Sequence, residues 1–254
     1  MILSANTPYF APYPGFFEKV ARADVFVLLD TVQFPRGTTW ISRNRFKCAS
    51  GTLWVTVPVW KKGLGLQRIE EVRICHEGAW ATKLLQSLAH AYQHAPFFKE
   101  HFGIWEQEVG RTYERLVDLN RALIAHLMDA LEIGTRVVKL SDLGIEGRGD
   151  ALLVELCRRL GADTYLAQNG AASHLDTGRF RDAGLELCFF RPSSPVYPQL
   201  WGSFVGNLSA FDLLFNCGPR ARDYIGTENE DQRTVRTART ELSSLMGKSR
   251  KNPR

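Results

Sequence analysis

A chain of 254 residues that is 44% hydrophobic and 23% charged carries enough apolar material for one large core or two small ones, which excludes a disordered or fibrous protein. It holds no apolar run of about eighteen residues and no basic leader before a long apolar stretch, so neither a membrane span nor a signal peptide is expected. The net charge is +5, of which +3 falls in residues 228–254, where seven Lys/Arg face four acids.

Taken in order, Ile2 to Ala5 reads as a first strand, and Asn6 to Gly15 as a Pro/Gly/aromatic loop with little room for regular structure. Phe16 to Arg22 is expected to be helical, and Val25 to Leu29 forms a strand that ends on Asp30. The next stretch, from Thr31 to Lys47, reads as a loop rich in polar and cationic groups. Leu53 to Val59 is β-rich and closes at Pro58, and Ile69 to Cys75 alternates weakly enough to suggest another strand.

Helices are expected over Trp80 to His94, Phe97 to Glu108 and Tyr113 to Leu131, the last with Leu116, Leu119, Leu123 and Leu127 at three- and four-residue steps. Strand then alternates with helix: 136–140, 151–160, 164–167, 175–183 and 185–190, followed by a short helix 209–216 with Ser209 as N-cap. This alternation argues for an α/β fold with a mostly parallel, Rossmann-like sheet, flanking helices and an inserted helical layer at about 80–132. The division expected is one domain over 1–227 and a basic tail over 228–254, whose plainest reading is a solvated terminus. The five cysteines are widely spaced, and no CxxC pair occurs, which suits reduced thiols in the cytoplasm.

Four clusters carry candidate chemistry. Asp30, Gln33, Arg43 and Asn44 combine a carboxylate, a fork for anions and two amides; the plainer alternative is an Asp30–Arg43 ion pair that holds the loop. His174 lies in the turn 170–176 between a strand and a helix, as a base or as a surface residue. Gln199, Asn207, Ser209 and Asp212 sit among Trp201, Phe204, Phe211 and Phe215, in a site or as caps and core partners. His90, His94 and His101 lack the accompanying glutamate of a helical metal motif, and Pro96 interrupts their spacing, so no metal is expected. No phosphate-binding P-loop, GxGxxG turn or GxSxG elbow is present, which removes sequence support for P-loop hydrolysis, dinucleotide chemistry and serine hydrolysis. No cofactor is expected.

Several of these stretches together resemble the WbqC-like protein family: Thr7-Pro8-Tyr9-Phe10-Ala11-Pro12-Tyr13-Pro14-Gly15-Phe16-Phe17, Ala23-Asp24-Val25 through Phe34, and Trp40-Ile41-Ser42-Arg43-Asn44-Arg45. Ala95-Pro96-Phe97-Phe98, Asp118-Leu119-Asn120, Gly161 to Leu166 and Leu208 to Gly218 continue the likeness, which covers residues 2 to 225. The family often has Gln or His-Gln before the first Pro, where this chain has Asn6-Thr7. The beginning of the chain is also similar to nucleotidylyltransferase-like folds, but Tyr13-Pro14-Gly15-Phe16 stands where those carry His-x-Gly-His, which removes adenylyl transfer by those histidines.

The family resemblance implies an accessory enzyme of O-antigen or other surface-polysaccharide or specialised-metabolite biosynthesis. It would transfer an acyl or aminoacyl group, glycine among the candidates, from an activated donor onto a small amine such as that of an amino sugar. On that reading the catalytic group is sought among Asp30, His174 and Asp212, and the substrate-binding residues are Pro8, Tyr9, Tyr13, Gln33, Trp40, Arg43, Asn44, Arg45, Tyr165, Gln199, Asn207 and Ser209. Two alternatives stand beside it: a non-catalytic binding or scaffold protein of the same pathway, and an enzyme that takes aminoacyl-tRNA through the basic tail.

Overall fold

Apolar strands buried on both faces are the mark of a parallel sheet covered by helices. The computed structural model of the chain, which describes residues 1–226, has a five-stranded sheet of β1 (Ile2–Asn6), β2 (Val25–Leu28), β5 (Arg136–Lys139), β6 (Thr164–Gln168) and β7 (Glu186–Phe190), with all four ladders parallel, β1, β2 and β6 mostly buried and the outer β5 and β7 partly exposed. The tail expected over 228–254 lies outside the described residues.

The strand order is β5-β2-β1-β6-β7. The chain therefore runs outward from β1 through β2 to β5, returns, and runs outward again through β6 and β7. The order reverses between β1 and β6, and in doubly wound sheets ligands bind in the crevice beyond the C-terminal strand ends at that reversal. The β1–β6 ladder is short: Ile2 pairs with Thr164 and Leu3 with Tyr165. Above it the two strands are joined by a side chain. Ser4 Oγ donates to the Leu166 carbonyl of β6 at 2.6 Å, and beside it Lys19 Nζ, from the helix Pro14–Ala21, donates to the Ala5 carbonyl of β1 at 2.6 Å.

Alternate residues of β2 feed two cores. On one face, Phe26 and Leu28 meet Phe16, Phe17 and Val20 of α1 (Pro14–Ala21). On the other, Leu3, Ala5, Val27, Tyr165 and Ala167 pack with α6 (Gly149–Leu160) and Phe180 of α7 (Thr177–Asp182). A four-residue helix α5 (Leu140–Leu143) follows β5 directly, where the sequence reading continued the strand to residue 140.

The segment between β2 and β5 builds the inserted layer: a hairpin of β3 (Arg43–Cys48) and β4 (Gly51–Thr56), then α2 (Trp80–Tyr92), α3 (Phe98–Gly110) and α4 (Leu116–Ala130). The fully buried α8 (Ala210–Cys217) sits among these helices; Trp105 of α3 meets Phe211 at 4.8 Å, and also Phe10 and Phe46.

Three expectations are corrected. Arg43 to Lys47 is a strand, because its polar residues are held by hydrogen bonds; Arg43, Arg45 and Lys47 fill one face of it, so no face of the pair alternates apolar against polar in the usual way. Ile69 to Cys75 is a 3₁₀ turn at Ile69–Glu71 followed by single bridges, Val59 with Ile74 and Arg73 with Arg115. That second bridge keeps residues near 115 extended, so the helix expected from Tyr113 begins at Leu116, whose amide donates to the Val72 carbonyl at 2.9 Å.

Candidate functional site

The loop after β1 enters the crevice at the strand reversal, and buried amides hold its shape. Asn44 Nδ2 donates to the carbonyls of Phe10 (3.0 Å) and Ala11 (2.7 Å), and Asn120 Nδ2 donates to those of Pro8 and Ile41 (both 2.8 Å). Ala11 is left-handed at φ 43°, a state that costs a residue with a Cβ about 1–2 kcal/mol, so the Asn44 clamp offsets local strain. Asn44 and Pro8 are thus scaffold under the loop, while Thr7, Tyr9 and Tyr13 remain half-exposed on it.

Tyr13 reaches across to β6. Its hydroxyl donates to Gln168 Oε1 at 3.1 Å, and Gln168 Nε2 donates to the Gly15 carbonyl at 3.1 Å. Burial pushes the Tyr13 hydroxyl up from its ordinary pKa, so it stays a neutral donor at physiological pH. Gly15 is sterically required: a Cβ there would lie 2.6 Å from the Tyr13 ring and 2.7 Å from Pro192 Cβ. The sequence reading missed Gln168, and the signal was available. It is a polar residue ending an apolar strand, as Asp30 is.

The hairpin adds cations and aromatic rings. Arg43 and Arg45 flank Trp54, with the Arg43 guanidinium 3.7 Å from the centroid of its ring, and Trp54 stacks on Trp40 at 5.7 Å. Both indoles are open to solvent, at 42% and 45% exposure. Trp40 joins the first loop through its carbonyl, which accepts from the Phe10 amide at 2.9 Å. Arg45 crosses to the segment after β7, donating to the Asn207 carbonyl at 3.0 Å, and Asn207 Oδ1 accepts from Ser194 Oγ at 3.4 Å. Arg43 differs. Among the described residues its guanidinium has no carboxylate partner and no hydrogen bond, its Nε included. A planar fork held over an indole with its donors unspent suits a carboxylate or a phosphate.

The remaining predicted residues fall elsewhere. Asp30 is buried and does not pair with Arg43. Its oxygens accept from the Ser141 amide (2.9 Å) and hydroxyl (2.6 Å) at the start of α5, beside a charged cavity of about 210 Å³ also lined by Glu70, Arg115, Asp118, Arg121 and Lys139. Gln33 is exposed and bridged to Arg68. Tyr165 is a core residue, packed on Phe180 at 5.6 Å. Ser209 caps α8 through its hydroxyl, which accepts from the Phe211 amide at 3.3 Å, while its own amide donates to the Arg45 carbonyl at 2.9 Å. His174 is exposed in the turn after β6, and no hydrogen bond joins its ring to the other predicted residues.

Asp212 is completely enclosed. It accepts from the hydroxyls of Tyr92 (2.5 Å) and Tyr197 (2.7 Å) and from Gln199 Nε2 (3.2 Å). Burial raises its carboxyl pKa, opposed by these donors and by the Lys47 charge. Lys47 Nζ donates to Gln199 Oε1 (3.0 Å) and the Ser203 carbonyl (2.7 Å), so Gln199 bridges the two charges. Among the described residues, no three His, Cys, Asp or Glu side chains converge as a metal site, and no helix is long and apolar enough to cross a membrane.

With this geometry in hand, the profile described as the WbqC-like protein family matches residues 7–224. The chain belongs to the WbqC-like protein family. The WbqC-like match begins at the loop after β1 and runs through the hairpin, the helical layer and α8, so it spans every cluster described above. The chain is also similar to the uncharacterized protein Rv1507c of Mycobacterium tuberculosis, 32% identical over 220 residues that cover 85% of this chain and 94% of the relative. No solved structure matches the chain.

Proposed function

We propose that this WbqC-like protein is a cytoplasmic transferase that moves an acyl or aminoacyl group, glycine among the candidates, from an activated donor onto a small amine such as that of an amino sugar, in surface-polysaccharide or specialised-metabolite biosynthesis. The observation that supports it most is Arg43, an unpaired guanidinium stacked on an exposed indole beside the strand reversal. In this reading Arg43 and Arg45 hold the anionic part of the donor or of a sugar nucleotide, and Tyr13 and Gln168 address its hydroxyls. Asp30 stands apart from that cluster, and in this reading its own charged cavity receives and orients the amine. Asp30 retains lone pairs beyond the two occupied by Ser141, and can take the proton the amine loses as nitrogen attacks the acyl carbon and the leaving group departs. Positioning supplies much of the rate in such a reaction.

A second reading, a ligand-binding protein of the same pathway without turnover, is favoured by one observation: Asp30 and Asp212 both spend their oxygens on protein donors.

The test is a thermal-shift and transfer assay with a nucleotide-linked amino sugar and an acyl thioester. Arg43→Lys keeps the charge but loses the planar fork, and is expected to weaken the ligand response about tenfold with little change in the unliganded Tm. Asp30→Asn is expected to keep the shift and lose the product. Full activity in both variants would overturn the transferase site; a shift without product in the unmodified protein favours the binding reading.

A further inference from the structure

The charge of this chain is unevenly placed. Residues 31–69 hold seven Lys/Arg and not one Asp or Glu; since the whole chain is +5, the rest of it sums to −2. Among the described residues, the same segment contributes most of the large apolar side chains that stand in solvent. Within it, the loop Trp60-Lys61-Lys62-Gly63-Leu64-Gly65-Leu66 exposes Trp60 (40%), Leu64 (43%) and Leu66 (58%) together. Single exposed apolar residues are ordinary, but three in seven positions beside two lysines are not.

The loop stands on a tied base. The Trp60 amide donates to the Arg73 carbonyl at 3.0 Å, Gln67 Nε2 donates to the Trp60 carbonyl at 3.1 Å, and the Phe34 amide donates to the Gln67 carbonyl at 2.9 Å. Lys61 leans on the Phe34 ring at 4.9 Å, with its Nζ 3.3 Å from the Gly37 carbonyl. Neither Lys61, Lys62 nor Arg36 has a carboxylate partner among the described residues. The outcome is an apolar tip with an uncompensated cationic collar.

We propose that this loop docks the protein on a lipid surface bearing anionic headgroups. Trp60 would sit at headgroup level, Leu64 and Leu66 would enter the acyl boundary, and Lys61, Lys62 and Arg36 would meet the lipid phosphates. The charge complementarity selects an anionic partner. The two leucines select lipid over nucleic acid, whose bases bind on aromatic faces and gain nothing from exposed aliphatic side chains. Because Phe34 and Gly37 lie between β2 and Trp40, docking would set the sheet's C-terminal edge beside the membrane. This inference stands independently of the transferase reading.

The experiment is co-sedimentation of the full chain with vesicles of phosphatidylcholine alone or mixed with phosphatidylglycerol, alongside a bulk tRNA binding assay. The expected result is binding to the anionic vesicles, weakened by salt. Lys61→Glu with Lys62→Glu should reduce it by about fivefold or more per lysine, and Leu64→Ser with Leu66→Ser by about tenfold or more at unchanged charge. All four substitutions lie on an exposed loop, and unchanged melting temperatures verify folding. Absence of binding, equal binding to both vesicles, or binding that survives both double variants would overturn the proposal. Loop-dependent binding to tRNA without vesicle binding would overturn it in favour of a nucleic-acid surface.

Discussion

Strand β3 serves two polar clusters that are built on opposite principles. Toward the interior, Lys47 joins Asp212, Tyr92, Tyr197 and Gln199 in a network with no solvent exposure at the carboxylate, and its donors and acceptors meet within hydrogen-bond distance. Toward solvent, Arg43 stacks on Trp54 and leaves its donors unspent. Buried polar groups must be satisfied to be tolerated, so the first cluster is complete within the fold. In the second, the Arg43 guanidinium makes no hydrogen bond among the described residues and ends at solvent. The closed cluster pins the segment 197–205 and α8 to the hairpin; the open one is where an anion from outside would finish the pattern.

The sharpest way to break this contrast is to open the closed side. Asp212→Ala would leave two buried tyrosine hydroxyls without their acceptor and the buried Lys47 charge without its counter-charge, and is expected to lower the unfolding free energy by about 3–5 kcal/mol in urea titration. The sign of its pH dependence also follows. Burial raises the carboxyl pKa in the folded chain, so the folded state binds the proton more tightly than the unfolded one. Relative to the non-titrating Asp212→Asn, the protein should therefore gain stability as pH falls from that raised value toward the ordinary carboxylate range, and show a flat difference above it. A difference that shrinks on acidification would mean that the carboxylate is held charged.

Lys19 is an intermediate case, a buried cation with a single acceptor, the Ala5 carbonyl. Burial lowers its pKa from 10.5 to about 8. The folded chain then binds this proton less tightly than the unfolded one, and stability rises with pH between about 8 and 10.5. Lys19→Met should stabilise the protein at neutral pH by about 1–3 kcal/mol, with an advantage that fades across that window. A loss of stability instead would show that the Lys19 bond to β1 outweighs its burial.

These clusters also mark how far the sequence could be read. Alternation of apolar runs exposed the parallel sheet, and leucine spacing exposed α4, because apolar burial decides the structure there and leaves a periodic trace. Strand β3 left no such trace. Asn44 and Lys47 are buried through hydrogen bonds to Phe10, Ala11, Gln199 and Ser203, partners that arrive from distant parts of the chain. The residues alone set Arg43 and Asn207 in separate clusters, and what joins them is visible only in the fold: Arg43 lies over Trp54, Trp54 stacks on Trp40, and Arg45 donates to the Asn207 carbonyl. Asp30 was legible as the end of a strand, but not its tie to Ser141, which is 111 residues away. Gln168 was legible by the same rule as Asp30 and lacked only the strand order that sets β6 beside β1.

The smallest effect on stability is expected from Trp54→Thr, and it sharpens the comparison most. Thr suits an exposed strand position, and the cation–π contact removed contributes only about 0.5–1 kcal/mol at such a site, so the unfolding midpoint should barely move. Arg43 would lose the surface that fixes its plane while keeping its charge. If the open cluster is a recognition site, the response to the nucleotide-linked amino sugar falls several-fold at constant Tm, and most of that loss lies in orientation and not in charge. A Tm drop approaching that of Asp212→Ala would instead make the Trp40–Trp54 stack a structural brace, and the unpaired state of Arg43 would then need a cause other than a ligand.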